Sequence, residues 1–299
     1  MKRAARQFIF RVSILILLAL LAFIINRFGA APDTGALQQS VQSGTVEVHF
    51  IDVGQGDSIL IEAENAAMLV DAGENNKGSV VINYLNRQNI KKLDYVIGTH
   101  PHSDHIGGMD VVIEELPVAN VIMPMVSHTT TTYEDVLDAA LKKGLTINKP
   151  VVGDTYELGP ATFTILAPNS SSYEDLNNYS IVIKLTFGNI SFLLSGDAEA
   201  VSEKEMLDSG LKLSANVLKI GHHGSASSST DRYLDAVDPN YAVISVGADN
   251  IYGHPHPDVL EAIQSRNIRL YRTDKQGTVV FTTDGTNISV NTKEYINKD

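Results

Sequence analysis

The chain has 299 residues and not one cysteine. That absence excludes a disulfide scaffold, a thiolate zinc site, a cysteine nucleophile and the lipidated cysteine of a bacterial lipoprotein. Any metal chemistry must rest on His and carboxylates. Basic charge is also scarce, with 23 Lys and Arg against 35 Asp and Glu and a net charge of −12. Five of those bases (Lys2, Arg3, Arg6, Arg11 and Arg27) sit in the first 28 residues, which contain no acid, so the remainder carries −17. A body that acidic does not bind polyanions through bulk electrostatics. Gly54-x-Gly56 lacks the third glycine of a dinucleotide loop, since Ile59 stands there, and that cofactor class drops out. Repeats are absent, and the only biased tracts, 129–132 and 225–229, read as loops. The chain as a whole is 43% hydrophobic, enough to fill a substantial core.

The amino terminus reads separately from the rest. Four cations precede an apolar run over 12–25, broken only by Ser13. Taken as 8–28, with Arg11 snorkelling, it reaches the roughly 20 residues a bilayer core requires. Residues 1–28 are therefore expected to be a signal anchor or signal peptide, with the amino terminus cytoplasmic and everything after it outside. Gly29-Ala30-Ala31 offers small residues for cleavage, but Asn26-Arg27-Phe28 intervenes and Pro32 follows, which favours a retained single-pass anchor over secretion. Residues 29–44 form a small, polar, flexible linker able to span about 50 Å. The folded domain is expected over 45–299.

Within that domain, hydrophobic period predicts strands at 46–51, 58–61 and 68–70, followed by a helix at 80–87, a strand at 93–97, a helix at 109–115, a strand at 119–123 and a helix at 133–143. The second half repeats the theme. Strands at 162–166, 180–187 and 190–194, the last two joined by the hairpin turn Gly188-Asn189, precede a helix at 198–207. A strand at 216–220, a helix at 231–237 and a strand at 242–246 follow, and segments 257–266, 268–271 and 278–281 close the domain. Two such halves without a linker predict two sheets packed face to face and covered outside by helices.

Chemistry concentrates in Thr99-His100-Pro101-His102-Ser103-Asp104-His105-Ile106-Gly107-Gly108. Pro101 is expected to keep the segment extended, so that His100, His102 and Asp104 project to one side and, with His105, converge on one spot. Imidazole nitrogens with a carboxylate oxygen suit zinc, iron or manganese at about 2.0–2.2 Å, and Gly107 and Gly108 would let the next helix start close to the metal. His49, in an alternating strand, and His128, in a Thr-rich loop, read as ordinary residues.

The motif His100-x-His102-x-Asp104-His105, with Leu69-Val70-Asp71-Ala72-Gly73 upstream and Leu194-Ser195-Gly196-Asp197 downstream, resembles the metallo-β-lactamase superfamily of binuclear metal hydrolases. Asp52-Val53-Gly54-Gln55-Gly56-Asp57, Lys219-Ile220-Gly221-His222-His223-Gly224-Ser225, Tyr252-Gly253-His254-Pro255-His256 and Arg272-Thr273-Asp274-x-x-Gly277 narrow the likeness to the extracellular domain type of ComEC competence proteins. The resemblance covers residues 46–281. It implies the αβ/βα four-layer sandwich and two divalent ions, zinc or alternatively manganese. His100 and His102 would hold the first, Asp104 and His105 the second, and Asp197 would bridge them. The second site would be completed by His222 or His223; His222 is assigned to the metal, leaving His223, with His254, to protonate the leaving oxygen. Asp71 would orient a ligand histidine from behind. Two ions about 3.5–4 Å apart would turn a shared water into the attacking hydroxide.

One departure stands out. Most superfamily members carry a third first-site histidine in the turn occupied here by Asp175-Leu176-Asn177-Asn178-Tyr179-Ser180, which has none. The first site is therefore expected to be open and labile, with Asn or water completing it. Gly56-Asp57-Ser58 resembles a GDSL-type serine site, but none of the nine histidines has Asp three residues before it, which excludes that class. A non-catalytic, metal-stabilised surface module is the remaining rival. Loss of the third histidine favours it, and retention of Asp197 favours an enzyme. His254 and His256 fit an active-site wall or a stiff structural turn equally well. The expected function is a phosphodiesterase acting outside the cytoplasmic membrane on nucleic acid or on a phosphorylcholine or teichoic-acid polymer, without sequence-specific nucleic-acid binding.

Overall fold

The structure is a computed structural model that describes residues 44–126 and 128–296. The expected membrane segment and nearly all of the linker lie outside those residues. Among the described residues, no helix is long and apolar enough to cross a membrane.

The first half lays down strands β1 (Val46–Phe50), β2 (Ile59–Ala63), β3 (Ala66–Val70), β4 (Leu93–Ile97), β5 (Val118–Ile122) and β6 (Ile147–Asn148). Between them run helices α1 (Gly78–Arg87), α2 (Ser103–Ile106), α3 (Met109–Glu115) and α4 (Thr131–Lys142). The second half supplies β7 (Thr155–Leu158), β8 (Ala161–Ala167), β9 (Val182–Phe187), β10 (Ile190–Leu194), β11 (Val217–Lys219), β12 (Tyr241–Ile244) and β13 (Arg269–Arg272), interleaved with α5 (Ala200–Asp208), α6 (Asp231–Val237), α7 (Pro257–Ser265) and α8 (Thr273–Gln276). Strands β14 (Val279–Thr283) and β15 (Ile288–Val290) then return to the first sheet, which orders β15-β14-β1-β2-β3-β4-β5-β6. The second sheet orders β13-β12-β11-β10-β9-β8-β7.

Period-2 patterning explains the layering. On β1, Val46, Val48 and Phe50 point to a core shared with Phe163, Phe187 and Phe192 of the second sheet. Phe281 of β14 packs edge-to-face against Phe50 at 5.9 Å and Phe192 at 6.0 Å, so the inner faces interdigitate. The opposite face of the first sheet (Leu60, Leu69, Val96) meets Val81, Leu85, Met109, Val112 and Val136 from the helices. The outer face of the second sheet does likewise with Met206, Leu234 and Ile263. The order is therefore helix, sheet, sheet, helix, as the alternation predicts.

Each sheet joins an antiparallel part to a parallel part. β3, β4, β5 and β6 run parallel in one sheet, and β10, β11, β12 and β13 in the other. Ligands bind outside the carboxyl ends of parallel strands in such folds. Here those ends deliver Asp71 after β3, Thr99 and His100 after β4, Asp197 after β10, His222 and His223 after β11, and Ser245 after β12.

The His-rich loop departs from expectation in one respect. His102 is extended, but the chain bends at His100 and Pro101 and α2 begins at Ser103 with His102 as its N-cap residue, so Asp104 and His105 leave from a helical turn. Proline restrains only its own φ and its predecessor, and cannot forbid a helix that starts two residues later. Gly107 and Gly108 serve chain packing. A Cβ on Gly107 would stand 2.2 Å from the Asn75 amide nitrogen, and one on Gly108 would stand 2.6 Å from the Ala72 carbonyl.

Candidate metal centre

Side chains delivered from three strand ends, those of β4, β10 and β11, meet at one point. The donor atoms of Asp104, His105, Asp197 and His223 all lie within 4.8 Å of one another. Asp197 Oδ2 is 3.2 Å from His105 Nε2 and 3.3 Å from His223 Nε2; the two imidazole nitrogens are 3.3 Å apart. Asp104 Oδ2 is 3.2 Å from His223 Nε2 and 3.9 Å from His105 Nε2. An ion bound tetrahedrally at about 2.0–2.2 Å sets its donors about 3.3–3.6 Å apart, so this group has the size of a coordination shell. Asp197 Oδ1 is buried with no hydrogen bond, an expensive state for a carboxylate oxygen unless a cation meets it. The donor set fits a divalent transition metal.

The structure places His223, rather than His222, in this four-donor group. His222 stands at its edge, with Nε2 3.8 Å from Asp197 Oδ2 and Nδ1 3.2 Å from Glu199. Both histidines adopt left-handed backbone, with φ of 47° and 53°, and approach the same Asp197 oxygen at different distances. Asp71, at φ 59°, is a third such residue. Non-glycine residues held this way cost about 1–3 kcal/mol each and cluster at functional sites.

The positioning contacts are complete. Asp71, 1% exposed, accepts from the Thr99 amide (2.8 Å), the Thr99 hydroxyl (2.7 Å) and His105 Nδ1 (2.8 Å), which leaves His105 Nε2 facing the donor group. His223 Nδ1 donates to the Ser245 carbonyl at 2.9 Å and lies 3.5 Å from Asp57. Asp57 pairs with Lys219 at 2.7 Å, both essentially without exposure. Ser180 Oγ accepts the Asp197 amide at 3.0 Å.

Electrostatics agree with a cation site. Burial alone would push His105 down, but Asp197, Asp71 and Asp104 outweigh it and hold its pKa well above the ordinary value. His223 behaves likewise: burial is overridden by Asp197, Asp104 and Asp57. His100 is pushed well below its usual range by burial and by His105. A buried carboxylate field that favours positive charge on its neighbours is one that a divalent ion would satisfy.

His100 and His102 stand beside this group. Their facing nitrogens are 3.0 Å apart, and His100 Nε2 is 4.0 Å from Asp197 Oδ2. Of the two asparagines of the 175–180 turn, Asn177 has its Oδ1 buried without a hydrogen bond, and Asn178 is engaged elsewhere. Asn178 Oδ1 accepts from the Glu199 and Ser202 amides and so caps the start of α5, while its amide donates to Glu199. His254 lines the outer wall, its ring 5.5 Å edge-on from His222 and stacked at 5.8 Å under Tyr252. His256 caps α7, accepting from the Asp258 amide, which is the structural-turn role. The cleft over the centre, about 310 Å³, is also lined by Gln55 and Ser103.

Sequence reading gave no role to Lys219, Asp57, Glu199 or Ser180. Lys219 carried a usable signal, a lone charge at the end of an apolar strand, since lysine is almost never fully buried unpaired.

The sequence profile of the Metallo-beta-lactamase superfamily matches residues 51–248, the stretch that carries all these donors. The chain belongs to that superfamily. ComE operon protein 3 of Bacillus subtilis (strain 168) is 33% identical over 253 residues, covering 79% of this chain and 33% of its own length. Competence protein ComA of Neisseria gonorrhoeae is 29% identical over 245 residues, covering 81% of this chain and 33% of its own. The chain thus spans about a third of the length of these two relatives. Among solved structures, the metallo-beta-lactamase fold protein YhfI from Bacillus subtilis superposes with a TM-score of 0.56 at 13% identity, covering 80% of this chain and 100% of that one. At that identity the likeness concerns the fold alone.

Proposed function

We propose that the protein is a metal-dependent phosphodiesterase acting outside the cytoplasmic membrane on nucleic acid or a related phosphodiester, with residues 1–28 as its anchor. The observation that carries this reading is the four-donor group of Asp104, His105, Asp197 and His223, opening into a cleft with His100 and His102 alongside. The competence and recombination names of the relatives support nucleic acid as the substrate class.

Two divalent ions, zinc or manganese, would supply a Lewis acid and an acidified water. Asp104, His105, Asp197 and His223 would hold one, and His100 and His102, sharing Asp197, the other. The chain's own residues do the rest. Asp71 and the Ser245 carbonyl fix the tautomers of His105 and His223, so neither ring must reorient during the reaction. With His223 committed to the donor group, the proton for the leaving oxygen falls to His222, steadied at Nδ1 by Glu199, or to His254 at the wall. Tyr252, 63% exposed at the rim, offers a face on which a nucleobase can stack. With a body at −17, affinity must come from the site rather than from bulk charge.

The test is turnover of bis(p-nitrophenyl) phosphate, single-stranded DNA and a β-lactam by the metal-loaded chain. Hydrolysis of the two phosphodiesters, abolished by chelator and by Asp104→Ala, is expected. Hydrolysis of the β-lactam alone would reassign the substrate, and tight metal binding with no turnover would establish the binding-module rival. For location, protease added to intact cells should remove the domain; protection until lysis would overturn the topology.

A further inference from the structure

A second donor cluster lies outside the centre described above, on the helix-facing side of the first sheet. The register pairs Glu47 with Glu62 and His49 with Leu60 across β1 and β2. Because Val46, Val48 and Phe50 take the inter-sheet core, Glu47, His49 and Glu62 share the other face, against α1. His49 is 1% exposed, and its Nδ1 meets the Tyr84 hydroxyl of α1 at 2.8 Å. With that nitrogen occupied, Nε2 points at Glu47 Oε2, 3.4 Å away, and Glu62 Oε1, 3.2 Å away. Neither His49 Nε2 nor Glu62 Oε1 makes a hydrogen bond, although both atoms are buried. The three donors lie within 4.8 Å of one another.

The separations are informative. A charge-assisted N–H···O⁻ bond closes to about 2.7–2.9 Å, and both contacts are longer. They match instead the edge of about 3.3 Å between donors on one tetrahedral ion. Two glutamates directly opposite on paired strands also repel each other, and burial together with Glu47 raises the pKa of Glu62. Among the described residues, neither glutamate forms an ion pair with lysine or arginine. Glu47 keeps 41% of its side chain exposed, which gives an ion a path in and room for water ligands.

We propose that Glu47, His49 and Glu62 form a third site for a divalent transition metal, tying β1 to β2 and, through Tyr84, to α1. One imidazole with two carboxylates suits zinc or manganese, and the nitrogen donor disfavours calcium and magnesium. Its role is structural, since an ion that binds only the native state stabilises it by mass action.

The experiment compares the full chain with E47Q/E62Q after chelator stripping and re-equilibration with zinc, counting ions per chain by mass spectrometry. The wild type should retain one more ion than the variant. Zinc should raise the unfolding midpoint of the wild type more than that of the variant, while in chelator the variant is at least as stable because a like-charge pair is gone. Equal ion counts and equal zinc-induced shifts would overturn the proposal, with His49 sharing a proton with the glutamates. Should the double variant fail to fold, ¹⁵N imidazole spectra decide the matter: His49 Nε2 should shift on zinc titration of the wild type and need at least tenfold more zinc in E62Q. An unmoved resonance would overturn the site. The third ion should persist in an Asp197→Asn chain, which separates this proposal from the main centre.

Discussion

Substituting Lys219 by Met should be among the most damaging single changes in the protein, although Lys219 touches none of the four donors. Its ammonium lies 2.7 Å from Asp57 Oδ2 and 3.5 Å from the Gly196 carbonyl, and neither charged side chain is more than 1% exposed. Burial pushes the Asp57 carboxyl up, yet the Lys219 charge and His223 hold it below the usual carboxylate range, so it is ionised in the folded protein. Methionine keeps the volume of the stem but strands that carboxylate. Breaking a buried pair by removing one partner costs about 3–5 kcal/mol. At about 2–4 °C per kcal/mol for a domain of this size, the midpoint should fall by about 6–20 °C. Removing both charges, as in Asp57→Asn with Lys219→Met, should return most of that loss, because a neutral pair needs no compensation. Urea unfolding of the four chains in chelator closes the double-mutant cycle. A Lys219→Met cost below about 1 kcal/mol, or a cycle without coupling, would mean that water reaches the pair and would refute the argument.

Three further outcomes follow from the same contacts. Asp71→Asn should weaken metal binding by about 10–100-fold, because an uncharged amide with one acceptor oxygen cannot serve both the Thr99 amide and His105 Nδ1, and unchanged affinity by calorimetry would assign Asp71 to the turn alone. Gly56→Ala should destabilise the ligand loop: Gly56 has φ 119°, and an added Cβ would stand 2.1 Å from the Asp104 carbonyl, so both the thermal midpoint and the metal content should drop together. Dilute chelator should empty the main centre in two steps, the ion at His100 and His102 first, since that site has fewer donors; a single cooperative loss of both of its ions would mean that another residue completes it.

Much of this architecture was legible because period-2 and period-3.6 patterns are strong in long, half-buried elements. Asp231–Val237 and Ile190–Leu194 fall where their periodicity predicts. The short strands Ile147–Asn148, Thr155–Leu158 and Ile288–Val290 escaped notice, since two to four residues at a sheet edge, exposed or half-buried but for Leu158, carry too little pattern to register. The histidine loop was legible as a metal motif, whereas its geometry was not: the helix from Ser103 rests on packing against the Ala72–Gly78 chain, a long-range fact. The choice between His222 and His223 was likewise beyond spacing arguments, because the two lie in a left-handed turn and only the fold brings the His223 ring within reach of all the other donors. Lys219 shows the opposite failure. Its signal was present, as a lone charge at the end of an apolar strand, but its partner Asp57 is 162 positions away and joined to it only by the fold.

The most direct test of the account is where a metal ion sits. Crystals of the zinc-loaded chain, measured on both sides of the zinc absorption edge, should give an anomalous peak about 2.0–2.3 Å from Asp104 Oδ2, His105 Nε2, Asp197 Oδ2 and His223 Nε2 together. A peak ligated by His222 in place of His223, or no peak among these four atoms at saturating zinc, would contradict it.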